Sequence, residues 1–326
     1  MTTADDNQTD VFASVQMLPS GHRVEVPPGV SVVEAALSAG IYVPYGCNNG
    51  TCGDCVARVV SGELVTCRHS DYVIDAARKQ QGFRLLCCTA PRGVAVVEVQ
   101  EADDDHLPAA GDLSTKLQKL EPLSDGCTAV KLRCMRSAVL RYVAGQKIEL
   151  RLPGATPLRV TLASCPCEGL NLELHLENDR DADQLRVLRG LRRGDEVAIH
   201  GPLGGAPLPH SEWAAPVLLV AIDAAFSAVQ SLLAHLINID YEWPIRVLWL
   251  ANPAVGHYRA NYLRALGDTL DGLRFELTDA RVKPTVALTR LLEDVDRNRL
   301  HVYAALQGDE ALRVPLEAAA PAPTYL

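Results

Sequence analysis

Pro44-Tyr45-Gly46-Cys47-Asn48-Asn49-Gly50-Thr51-Cys52-Gly53-Asp54-Cys55 brings three of the chain's ten cysteines together. Their spacing is C-x4-C-x2-C, which suits a [2Fe-2S] cluster completed by a distant fourth cysteine. Thiolates are the soft, anionic ligands that iron–sulfur irons require. The residues between them are small. Gly46, Gly50 and Gly53 lack Cβ, so the backbone can wrap closely and aim N–H groups at sulfur, where such bonds tune the potential. The stretch Phe83-Arg84-Leu85-Leu86-Cys87-Cys88-Thr89-Ala90-Pro91 supplies two candidates for the fourth thiolate. Zinc is the competing reading. Zinc sites usually gather ligands as two close pairs, and adjacent Cys87 and Cys88 are not such a pair.

The flanks agree with the loop. Upstream, Val15 to Met17 and His22 to Val26 alternate as short strands around a turn at Pro19-Ser20-Gly21. Pro27, Pro28 and Gly29 break the chain. Ser31 with Glu34 forms a capping box ahead of Ala35, Ala36 and Leu37, and Gly40 closes that helix as the C′ residue. Downstream, Val56 to Val60 reads as a strand and Ser61-Gly62-Glu63-Leu64 as its turn. The segment resembles the ferredoxin domain of bacterial oxygenase reductases and of plant-type ferredoxins. In that family the last ligand lies four residues before a proline, in a stretch similar to L-x-C-x-x-x-P. The resemblance therefore implies Cys47, Cys52, Cys55 and Cys87 as cluster ligands, with Cys88 pointing the other way on a strand. Cys67, Cys127 and Cys134 read as buried structural thiols. Cys165 and Cys167 lack the C-x-x-C spacing of redox pairs.

Gln100 to Leu113 is acidic and loop-like and reads as a linker. Beyond it, Val130–Arg133, Lys147–Leu152, Leu158–Ala163, Leu170–Leu176 and Glu196–His200 read as the strands of a small barrel. From Pro216 onward, strands and helices alternate, which implies a parallel sheet with flanking helices. Ala144-Gly145-Gln146 and Gly201-Pro202-Leu203-Gly204 resemble landmarks of the flavin-binding barrel of ferredoxin-NADP reductase-like proteins. The expected fold is an α+β and α/β multidomain chain. A β-grasp ferredoxin occupies residues 1–105, a small antiparallel β-barrel of the FAD-binding type 106–210, and a parallel-sheet, NAD(P)-binding-like domain 211–326.

Set against that family, the ligand-forming positions differ. A motif similar to Arg-x-Tyr-Ser holds FAD; here alignment on Leu162-Ala163-Ser164 puts Leu158 and Val160 at the Arg and Tyr positions, alignment on Arg159 puts Thr161 at the Tyr position, and neither register keeps both. The diphosphate cradle becomes Asn178 to Leu185, where Asp179, Asp181 and Asp183 would repel an anion and each other. The Gly-rich turn for the nicotinamide cofactor becomes Ile222-Asp223-Ala224-Ala225-Phe226, with no glycine. The terminal Cys-Gly-Pro-Pro motif falls in Val302 to Asp309, where Cys and both prolines are absent.

The net charge of −9 argues against nucleic acid and anionic membrane as partners. Met1 to Asp10 has no signal-peptide pattern, and Ala215 to Ile222 is too short to span a bilayer. A soluble, cytoplasmic [2Fe-2S] electron-transfer protein is expected, with FAD and NAD(P) sites lost, passing electrons to or within a complex with an oxygenase or a reductase. The alternative is a working NAD(P)H-dependent FAD/[2Fe-2S] reductase, so its standing as an enzyme is open.

Overall fold

The computed structural model describes residues 13–39, 41, 43–45, 50, 53–67, 71, 73–99, 110–135, 138–140, 142–166, 170–204, 215–238, 241–306, 312–319 and 323–326. The chain divides into two compact units, Met1–His106 and Leu107–Leu326.

In the first unit, β1 (Ser14–Leu18) and β2 (Arg23–Glu25) form a hairpin, followed by α1 (Val32–Ser38). Next come β3 (Val56–Ser61), β4 (Leu64–Thr66), α2 (Ala76–Gln80), β5 (Phe83–Leu85), β6 (Thr89–Pro91) and β7 (Val94–Glu98). The main sheet runs β2-β1-β7-β3-β5, with β1 and β7 parallel and the other pairs antiparallel; β4 and β6 form a separate pair. The capping box forms as its sequence implies. The Ser31 N–H donates to Glu34 Oε2 at 2.9 Å, and the Glu34 N–H returns to Ser31 Oγ at 3.3 Å. Val32, Val33, Ala35 and Ala36 then pack into the core with Val15, Met17, Leu85 and Val97. Gly40, the expected C′ residue, lies outside the described residues.

The second unit opens with β8 (Gly111–Ser124), β9 (Cys127–Cys134), β10 (Lys147–Arg151), β11 (Leu158–Thr161), β12 (Asn171–Glu177), α3 (Ala182–Gly190) and β13 (Glu196–Leu203). The expected linker stretch is corrected here: Gly111, Asp112 and Leu113 already pair with β13 as part of β8. Their alternation is too short to stand out beside the acidic run. The sheet order is β11-β10-β13-β8-β9-β12. A bridge between Leu162 and Leu174, with the Ala163 N–H on the Glu173 carbonyl at 2.7 Å, joins the two edges into a barrel.

The α/β layer follows: β14 (Val217–Ile222), α4 (Phe226–Asn238), β15 (Ile245–Ala251), α5 (Ala260–Thr269), β16 (Leu273–Asp279), α6 (Thr285–Leu291), β17 (His301–Ala305), α7 (Arg313–Ala319) and β18 (Thr324–Tyr325). All its strands are parallel, in the order β16-β15-β14-β17-β18. β14 and β15 are buried along their whole length, as a sheet covered on both faces demands. The order reverses between β14 and β17, and crevices at such switch points are where open α/β sheets take ligands.

Arg246 on β15 is 3% exposed. Its guanidinium donates to the carbonyls of Ile245, Gly272 and Leu291 and holds Asp294 at 3.0 and 3.1 Å. It thus ties the end of α6 to the sheet. Replacing Arg246 by Ala strands three carbonyls and leaves a cavity. We expect a loss of about 3 kcal/mol, read in denaturant unfolding of the full chain, whereas Arg274→Ala, which removes an exposed partner of Asp294, costs less than about 1 kcal/mol.

Candidate functional site

The cysteine loop and the segment that faces it belong to the first unit. Gly53 has φ +88, and a Cβ there would lie 2.9 Å from Val73 Cγ1. Both the turn and the packing therefore exclude a side chain. Cys55 and Cys87 are each 1% exposed. The Cys87 N–H donates to Cys55 Sγ at 3.4 Å, and the Leu86 N–H donates to the Cys55 carbonyl at 3.0 Å. Two of the four expected ligands are thus side by side, buried, with a backbone N–H already on sulfur. This donor set fits an iron–sulfur cluster. Cys47 and Cys52 lie outside the described residues.

Cys88 is a correction. Residues 86–88 form a turn rather than a strand, closed by the Cys88 N–H on the Leu85 carbonyl at 3.1 Å. Successive side chains in a turn do not alternate as they do on a strand. Cys88 Sγ stands 3.7 Å from Cys87 Sγ, on the same side. Of the cysteines read as structural, Cys127 and Cys134 are buried and Cys67 is half-buried. Burial pushes the Cys127 thiol up to about 12, which makes it inert. Cys165 is disulfide-bonded, and its partner is not among the described residues.

The second site lies between the barrel and the α/β layer. A cavity of about 320 Å³ opens at the β14–β17 switch point, lined by Lys147, Leu158, Val160, Ala224, Ala305 and Leu326 among others. Val160 is buried in the barrel, whereas the Arg159 side chain is 72% exposed and loosely paired with Glu149 at 3.9 Å. Lys147 is pushed down by burial and by the charge of Arg159.

The turn after β14 is internally satisfied. Asp223 has φ +48, the only positive value for a non-glycine among the described residues. Its carbonyl accepts the Trp249 indole N–H at 3.1 Å, and its Oδ1 accepts the Asn252 N–H at 2.6 Å. The Ala224 N–H, at the head of the helical segment leading into α4, points at Glu177 Oε1 at 3.4 Å. Phe226 stacks on Trp249 at 3.9 Å, with both rings fully buried.

The acidic segment 178–185 also differs from expectation. Asp181 is 2% exposed and accepts the Glu177 N–H at 2.8 Å. Arg180 lies between the carboxylates, 3.0 Å from Glu177 Oε1 and 3.2 Å from Asp181 Oδ1. Repulsion is therefore offset by an interposed cation that composition by segment did not reveal.

Glu173, His175 and Glu177 share the face of β12 opposite Leu172, Leu174 and Leu176, which fill the barrel core. Glu173 Oε1 meets Arg259 Nη2 at 2.6 Å and His175 Nε2 at 2.9 Å, and Oε2 lies 3.7 Å from Lys131. His175 Nδ1 lies 3.0 Å from Tyr258 Oη, whose hydroxyl also meets the Cys127 thiol. Burial lowers His175, so the ring is neutral at pH 7. An ionised Glu173 only accepts, so Nε2 carries the hydrogen and Nδ1 accepts from Tyr258. Burial raises Glu173, but the His175 hydrogen bond and the charges around it outweigh that and hold it at about 2. Sequence reading missed this cluster. Its only signal was Glu-x-His-x-Glu at strand period, polar on both sides of a leucine ladder.

Comparison with known proteins bears on both units. Residues 15–92 match the 2Fe-2S iron-sulfur cluster binding domain family. The reductase component of propane 2-monooxygenase from Gordonia sp. (strain TY-5) is 24% identical over 262 residues, 79% of this chain and 75% of that one. The reductase subunit of an aromatic O-demethylase from Amycolatopsis sp. (strain ATCC 39116 / 75iv2) is 31% identical over 207 residues, 61% of each chain. The crystal structure of the Amycolatopsis cytochrome P450 reductase GcoB superposes with a TM-score of 0.57 at 23% identity, covering 96% of this chain and 98% of that one. That last likeness is one of fold. No helix among the described residues is long and apolar enough to cross a membrane.

The Glu173 cluster has a pH signature. A carboxyl depressed in the folded state contributes stability above its unfolded value of about 4.5, and that stability drains away as pH falls toward 2. Wild type loses up to about 3 kcal/mol across this window from Glu173. Glu173→Gln, less stable at pH 7, is expected to show a flatter profile between pH 4.5 and 2 in urea unfolding followed by circular dichroism. An equally steep profile in the variant would refute the assignment.

Proposed function

We propose, from the chain's membership of the oxygenase-type ferredoxin–flavin reductase family, that it is a [2Fe-2S] electron carrier whose rear module has given up FAD and NAD(P)H. Cys47, Cys52, Cys55 and Cys87 are the proposed ligands. The match over residues 15–92 supports this set, as does the burial of Cys55 beside Cys87. Bound there, the cluster supplies one-electron transfer at a site whose potential depends on hydrogen bonds and burial.

The observation that carries the proposed loss of nucleotide binding is the Glu177 carboxylate facing the Ala224 N–H. A pyrophosphate at a helix head needs free N–H groups and a positive local potential. Here a carboxylate of the chain stands close to that backbone, the side chain of Asp223 adds a second anion, and Arg180 is already spoken for. The residues around the switch point do not fit a dinucleotide. The Glu173–Arg259 and His175–Tyr258 contacts, together with Ser231 Oγ on the Ser164 carbonyl at 2.7 Å, hold the barrel and the α/β layer as one block. In this reading the block serves docking. The partner in this reading is a protein of an oxygenase system, either the oxygenase or a separate reductase, and the chain works in the cytoplasm.

One observation favours a second reading, a working NAD(P)H-dependent FAD/[2Fe-2S] reductase. The cavity at the switch point persists, with Lys147 and Arg159 at its edge, and the relatives are themselves called reductase components.

Visible spectroscopy of anaerobically purified protein, with flavin assayed after acid release, separates the two. The carrier reading expects cluster absorption, less than one flavin per ten clusters, and no bleaching on adding NADH or NADPH. One flavin per cluster with rapid bleaching would establish the second reading. Cys87→Ser is expected to abolish or strongly alter the cluster spectrum under either.

A further inference from the structure

Cys88 has no part in the ligand set, yet the fold places its thiol against the fourth ligand. The turn is fixed on every side. The Leu86 N–H is held by the Cys55 carbonyl and the Cys88 N–H by the Leu85 carbonyl at 3.1 Å. The Cys88 carbonyl accepts from the Cys67 N–H at 2.9 Å, and the next residue, Thr89, sends its hydroxyl to the Leu85 carbonyl at 2.9 Å. With its backbone N–H and carbonyl fixed on both sides, Cys88 has little freedom beyond its side-chain rotamer. That rotamer brings Sγ to 3.7 Å from Cys87 Sγ, inside sulfur hydrogen-bond range. Both residues are 1% exposed, so water does not compete for either sulfur. A buried hydrogen bond of this kind is electrostatically stronger than one in solvent.

We infer that Cys88 is a positioning and tuning residue, its S–H donating a hydrogen bond to the Cys87 ligand sulfur and thereby raising the reduction potential of the cluster. A thiol is a weak donor, and a ligand thiolate is a charged acceptor. When the cluster takes up one electron, negative charge on the cluster and its sulfurs increases, and a donor on sulfur stabilises that form more than the oxidised one. No bond breaks, and the hydrogen stays on Cys88. The two backbone N–H groups in this corner have separate work. The Cys87 N–H serves Cys55 Sγ and the Cys88 N–H closes the turn, so the Cys88 thiol is a separate donor directed to Cys87.

The inference rests on Cys87 as the fourth ligand, and the test keeps the two claims apart. Full-length wild type, Cys88→Ala, Cys88→Ser and Cys87→Ala would be compared by iron content, electron paramagnetic resonance, redox titration, and resonance Raman spectra in H2O and D2O. Cys88→Ala is expected to keep full iron content and a [2Fe-2S] signal. Its potential is expected to fall below wild type, and the deuterium-sensitive shift of one Fe–S(Cys) stretch to disappear. Cys88→Ser, which restores a donor, is expected to recover the potential at least in part. An unchanged potential in Cys88→Ala would overturn the inference while leaving the ligand set intact. Loss of the cluster in Cys88→Ala with retention in Cys87→Ala would make Cys88 the ligand and overturn both claims.

Discussion

The second unit depends on one carboxylate. Glu173 leaves the barrel from β12 and is held by Arg259 and His175, with Lys131 close by. Taking an ion out of water costs several kcal/mol, and only good geometry with further hydrogen bonds repays it. Here the repayment is supplied by both layers, since Lys131 and His175 come from the barrel while Arg259 comes from the segment before α5. The Tyr258 hydroxyl and Cys127 thiol continue the polar chain, while the buried Arg259 Nε has no hydrogen-bond partner among the described residues. Removing any member leaves another stranded, which makes the two layers of this unit one cooperative object. The Cβ-free approach of Gly126 to the Ala254 backbone, where an added Cβ would lie 2.1 Å from the carbonyl oxygen, has the same effect through sterics.

Much of this was legible in the sequence, for identifiable reasons. The capping box at Ser31 and Glu34 and the strands around it follow from local rules that act over a few residues, and the structure follows them. The barrel strands were found because their alternation is regular. β8 (Gly111–Ser124) was not read as a strand, because its first residues lie beside an acidic run. α5 and α7 were not anticipated, since neither carries a strong cap or a long apolar stripe. Cys88 was misplaced because its orientation depends on residues 86–88 turning rather than extending. That turn is set by a hydrogen bond to the Cys55 carbonyl and one from the Cys67 N–H, both distant in sequence.

The α/β layer owes its fold to apolar packing. Apolar residues on β14, β15 and β17 keep the parallel sheet and its switch point, because packing rewards any residue of suitable size and polarity. Phosphate binding at a helix head relies on close backbone approach and vacant N–H groups, and the turn from Ile222 to Phe226 carries no glycine. Phe226 builds an aromatic stack with Trp249, and the Asp223 side chain caps the Asn252 N–H, so the turn is stabilised by contacts within the chain.

Among the described residues, β16 ends the parallel sheet with one flank unpaired. Open backbone donors and acceptors there could recruit a strand from another molecule, the route by which sheets grow into aggregates. The side chains along it are charged and engaged: Arg274 with Asp294, Glu276 with Arg290, Asp279 with Arg281. An approaching strand would have to strip water from these pairs along its length. The edge is thereby guarded against uncontrolled polymerisation, and an assembly built on this module would have to form through faces other than its sheet margin.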